Sequence, residues 1–121
     1  MIVAPHATVH MHAPHSLAIS ERDVQQGYVD AETQIEVTVT SNTSHGYTLA
    51  LQNRGDQVRE AVVNGLAKPV LVTAEGSFLV RPSPREGLWT DTFTLRVRFH
   101  LSPAARPGMH EWPLIVSLMG V

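Results

Sequence analysis

From Asp91 to Leu101 the chain alternates without interruption: Phe93, Leu95, Val97, Phe99 and Leu101 are apolar, and Thr94, Arg96, Arg98 and His100 between them are polar. A period of two puts all five apolar side chains on one face of an extended strand, which the 3.6-residue period of a helix cannot do. The segment therefore predicts a long antiparallel strand with one face against a core and the other in water.

The same alternation recurs on a smaller scale. In Gln34 to Thr40, Ile35, Val37 and Val39 oppose Glu36, Thr38 and Thr40. The run Ser41-Asn42-Thr43-Ser44-His45-Gly46 has turn composition, and Tyr47, Leu49 and Leu51 resume the pattern after it. Ser102 to Gly108 carries two prolines and a glycine and reads as a turn, after which Trp112, Leu114, Val116 and Leu118 alternate towards the C-terminus. That last strand is expected to pair with the Asp91 to Leu101 strand, and Trp112 to be the packed aromatic of the core. Weaker strands are expected at Ser16 to Ser20, Val58 to Val63, Lys68 to Thr73 and Phe78 to Arg81, with a further one at Thr8 to His12. Val58, Ala61 and Val62 also fit one helical turn, but the strand reading is preferred there, and helix is expected to be nearly absent. Seven to nine short strands spaced roughly ten residues apart predict an all-β fold, an immunoglobulin-like antiparallel β-sandwich.

A chain of 121 residues suits one domain, with residues 1–14 read as an N-terminal arm and residues 15–121 as a single sandwich. The composition, 43% hydrophobic and 17% charged, is that of a globular chain rather than a disordered one. A formal net charge of −2 supplies no positive field to draw in nucleic acid. The lack of cysteine excludes disulfides, thiolate metal sites and cysteine nucleophiles. No apolar run approaches the roughly 20 residues that a membrane-spanning helix needs. No charged segment leading into an apolar one stands near Met1, and a mature exported chain with an added methionine reads the same way.

Two stretches carry a resemblance. Phe99 to Ser102, through Pro107-Gly108 and into Glu111-Trp112-Pro113-Leu114-Ile115-Val116, resembles the closing strands of bacterial immunoglobulin-like and pilin-like domains, where a Pro-Gly turn introduces the last core strand. Arg22-Asp23, Gly27-Tyr28-Val29-Asp30, Ser41-Asn42 and Gly46-Tyr47 resemble small exported β-sandwich proteins of Gram-negative bacteria. The resemblance implies a periplasmic, extracellular or surface location, and surface exposure would make the protein accessible as an antigen. It carries no catalytic residue. Fimbrial subunits usually have a disulfide and an aromatic near the C-terminus, whereas this chain has no cysteine and ends Leu118-Met119-Gly120-Val121.

The densest chemical cluster is His6, His10, His12 and His15, four of the seven histidines, near Met1 and Met11. If Thr8 to His12 is extended, His10 and His12 share a strand face and can share one metal ion, with His6 or His15 completing the set. Imidazole with thioether suits copper, and imidazole with Glu21 or Asp23 suits zinc or nickel. The plainer reading is a set of exposed histidines beside Pro5 and Pro14 that takes up stray divalent ions weakly.

Arg96, Arg98 and His100 form a basic ladder which, with Arg54, Arg59, Arg81 and Arg85, can make an anion-binding patch. The simpler expectation is a solvated face partnered by Glu36, Glu60 or Glu111. Glu21 and Asp23 read as capping or solvating a turn into Gly27-Tyr28 rather than as a catalytic pair. Trp89, after Gly87, is the aromatic placed best for contact. There is no Gly-x-Ser-x-Gly elbow, His-Glu-x-x-His helix or phosphate-binding glycine loop. The expected function is accordingly non-catalytic: an exported or surface-associated sandwich contacting an unknown protein partner, as a monomer or through edge-strand assembly in which Ile2 to Pro14 adds to a neighbour. The alternative is a periplasmic copper- or zinc-binding protein using the histidine cluster.

Overall fold

The computed structural model describes residues 7–32, 34–41, 47–81 and 89–119. Its longest element is the strand marked by the uninterrupted alternation, β9 (Trp89–Leu101). Phe93, Leu95, Val97, Phe99 and Leu101 are buried on one face of β9. Thr90, Thr92, Thr94, Arg96 and Arg98 are exposed on the other, with His100 half-buried.

The larger sheet is built around β9. On one side lie β3 (Tyr28–Asp30), opposite its C-terminal part, and β4 (Ile35–Ser41), opposite its N-terminal part. The Ala31 N–H donates to the Val97 carbonyl at 3.0 Å, so β3 and β4 run as one interrupted strand along the same edge. On the other side lies β6 (Val58–Asn64), with a bulge between Val58 and Glu60. The outer strands are β1 (Ala7–His12), paired to β4, and β7 (Val70–Val72), paired to β6, giving the order β1-β4-β9-β6-β7.

The second sheet has the order β11-β5-β8, from β11 (Leu114–Met119), β5 (Tyr47–Asn53) and β8 (Ser77–Arg81). Ile35, Val37, Val39, Ala61, Val63 and Val72 of the first sheet and Leu49, Leu51, Leu114 and Val116 of the second belong to one buried apolar cluster, the packing of an all-β sandwich. A two-stranded ribbon of β2 (Ser16–Ile19) and β10 (Gly108–Glu111) adds Leu17 and Ile19 to it. Trp112 is 3% exposed and meets Phe99 edge to face, ring centroids 5.2 Å apart, as its core periodicity predicts.

Eleven strands are present among the described residues, slightly more than the seven to nine expected, because several are only three or four residues long. Two expectations are corrected. The final strand does not pair with β9: β11 pairs with β5, from Leu114 opposite Asn53 to Met119 opposite Thr48. After β9 the chain first pairs with β2 as β10, and Pro113 cannot donate to a ladder, so the path leaves the first sheet and enters the second. One short helix is also present, α1 (Glu21–Gln26), where only a turn was expected. Ser20 caps it: the Asp23 N–H donates to Ser20 Oγ at 3.1 Å, and the Ser20 N–H donates to Asp23 Oδ2 at 2.9 Å. Gly27, with φ of 87°, closes its C-terminus in the left-handed region. Asp23 therefore caps, as read from the sequence, but it caps a helix.

Candidate functional site

Because the inner face of the first sheet is filled by core, its chemistry lies on the outer face, where alternate residues of β1, β4, β9 and β6 stand side by side. At the β1 edge, His10 and His12 are both exposed on one face, two residues apart. In the antiparallel register His12 lies opposite Glu36 and His10 opposite Thr38. These four residues line a shallow depression of about 360 Å³. His15 is exposed at a bend beyond Pro14, and its carbonyl accepts from the Trp112 N–H at 3.1 Å. His6 lies outside the described residues, as do Arg85 and the side chains of Arg81 and Trp89. The strand thus brings His10 and His12 together and adds a carboxylate that sequence reasoning had assigned to the arginine ladder. Residue spacing alone reveals the His-x-His pair; only the register reveals Glu36.

Further along the same face, Asp30, Val62, Asn64, Arg96, Val97, Arg98 and His100 line a second depression of about 490 Å³. Arg98 does not use the glutamates expected for it. Its guanidinium grips Asp30, opposite it on β3, through Nε to Oδ1 at 2.7 Å and Nη2 to Oδ2 at 3.0 Å. It also lies over the Tyr28 ring, 4.2 Å from the centroid. The hydrogen bond from Arg98, reinforced by its charge, holds the Asp30 carboxyl below its ordinary range, and Asp30 in turn raises Arg98. Arg96 faces the side-chain amide of Gln34, at 3.1 Å from Nη2 once the amide oxygen is turned towards it. Of the three expected glutamates, Glu111 pairs with Arg54 at 3.2 Å and Glu60 with its neighbour Arg59 at 3.7 Å, while Glu36 pairs with no arginine among the described residues. Arg98 is thus neutralised locally, and the ladder presents less positive charge than its sequence suggests.

The strand edges differ in how well they are protected. Among the described residues, β7 pairs only with β6, β8 only with β5, and β1 only with β4. β7 is three residues long, and β1 carries His10 and His12 on its exposed face. In β8, Ser77 to Val80 contains no charge and no proline, and Phe78 projects from the outer face of the second sheet, 56% exposed, opposite Ala50. β11, the other edge of this sheet, likewise has no charge and no proline, but of the two only β8 carries a largely exposed apolar side chain among the described residues, which makes it the stronger candidate for strand addition. Within Ile2 to Pro14, the stretch expected to add to a neighbour, the described Ala7 to His12 is already paired to β4 of its own chain. No protein-family model matches the chain, and no curated protein matches its sequence.

Proposed function

We propose that this protein is a non-catalytic contact domain that receives an extended segment of another polypeptide along the open edge of β8. The observation that supports this reading is the combination, in one five-residue strand, of an edge with no second hydrogen-bonded strand among the described residues and the solvent-exposed Phe78. Edge addition would satisfy the outward N–H and C=O groups of β8 and cover the Phe78 ring at the same time. The exported location implied by the resemblance belongs to the same proposal.

The test is a photo-reactive side chain placed at Phe78 and, as a control, at Thr90, an exposed position on the first sheet. In cells expressing the protein, Phe78 is expected to give discrete adducts with one protein, and Thr90 is expected not to. Equal labelling at both positions, or none at Phe78, contradicts the proposal.

A further inference from the structure

His10, His12 and Glu36 stand together on the outer face of the first sheet. They are exposed side chains on one face of one strand pair, and none makes a hydrogen bond or ion pair with another described residue. Directly opposed residues of an antiparallel pair have Cβ atoms about 4.5–5.5 Å apart, and diagonal neighbours are about 7–8 Å apart, still within reach of long side chains. That places Glu36 against His12 and within reach of His10. The Thr38 hydroxyl, opposite His10, completes the lining of the depression.

We propose that His10, His12 and Glu36 bind one divalent transition-metal ion on the outer face of the β1–β4 pair. Two imidazoles and a carboxylate are a borderline donor set suited to zinc, nickel or copper(II), and three protein ligands leave the fourth position of tetrahedral zinc to water. No three described histidine or acidic side chains already converge on one point. Convergence here takes rotation between staggered rotamers, which exposed side chains make within nanoseconds. Because the ligands come from both strands, the ion would tie edge strand β1 to β4 as a clip across the ladder. This set differs from the one read from histidine spacing: Glu36 replaces His6 and His15.

The test is calorimetric titration of the full chain with zinc chloride, repeated on His10→Ala, His12→Ala, Glu36→Gln, His6→Ala and His15→Ala. Circular dichroism confirms that each variant keeps its strand content. One zinc per chain is expected. Each of the first three substitutions should weaken it more than about tenfold, the lower range of loss seen even when a residue merely supporting a metal ligand is removed. His6→Ala and His15→Ala should leave the affinity nearly unchanged. In the wild type, zinc should also slow amide exchange in Ala7 to His12. Absence of saturable binding overturns the proposal, and so does binding that falls with His6 or His15 while Glu36→Gln retains it.

Discussion

Arg98 and Asp30 face each other across β9 and β3 and are joined by two parallel hydrogen bonds of 2.7 and 3.0 Å, with the guanidinium over the Tyr28 ring. Both side chains are about half exposed, so the pair orders the outer face more than it stabilises the domain. Its effect depends on pH in a defined direction. The Asp30 carboxyl is held below its ordinary value of 3.8, so the stability it contributes is present above that value and is lost as pH falls through the lowered one. Asp30→Asn should therefore lower the melting temperature at neutral pH by less than any core truncation, and the gap should close in strong acid and narrow in high salt. Thermal melts of wild type and variant at neutral and acid pH check this, and a gap that widens on acidification contradicts it.

Gly65 follows β6 in a turn and has φ of 114°. A Cβ added there would overlap the Thr94 carbonyl oxygen of β9. Backbone cannot move aside as a flexible side chain can, so Gly65→Ala combines left-handed strain with a steric clash. It should cost about 3 kcal/mol or more, measured by urea unfolding. Gly55, also left-handed with φ of 83°, has open space where its Cβ would go, and the same substitution there should be clearly milder.

The Trp112 Nε1 is buried without a hydrogen-bond partner among the described residues, while the ring packs edge-on against Phe99. Trp112→Phe keeps an aromatic ring beside Phe99 and removes a donor that has no acceptor, so its cost should come from the lost ring volume alone and stay clearly below that of a truncation to alanine. Phe99→Ala, which empties the centre of the cluster, should cost about 3–5 kcal/mol. Comparable losses from the two substitutions in denaturant unfolding would show that the indole N–H has a partner in solution.

The Ser20 hydroxyl accepts the Asp23 N–H at the start of a helix only six residues long. Ser20→Ala should cost about 1 kcal/mol and raise amide exchange selectively in Asp23 and Val24. Exchange spreading across the β-sheets instead would mean that α1 is integral to the core.

Local pattern made the strands legible in the sequence, most fully in β4 and β9, where buried apolar residues alternate with more exposed polar ones; β5 and β11 keep apolar residues at every second position, although Ala50 of β5 is buried as well and Ile115 of β11 is apolar. Trp112 was legible for the same reason. Helix α1 was missed because one and a half turns leave no room for a 3.6-residue period to show; its signal was the pair of end markers, Ser20-x-x-Asp23 and Gly27. Strand partners were the least legible feature. The expectation that β11 joins β9 followed chain order, whereas its partner is β5, more than sixty residues earlier in the chain. Site composition depends on those partners. Asp30 opposite Arg98 and Glu36 opposite His12 follow from pairings that one sequence does not encode locally. Phe78 is part of an apolar pattern that predicts a strand, and its exposure follows from its place on the outer face of β8, at the edge of a three-stranded sheet.

The openness of the β8 edge is tested most directly by residue-resolved amide hydrogen exchange on the purified protein. The central strand β5, paired on both sides, should be strongly protected throughout, while β8 should alternate, with amides directed at β5 slow and those directed away exchanging at nearly unprotected rates. Uniform protection along Ser77 to Arg81, matching that of β5, would mean the edge is already covered and would contradict a contact function there.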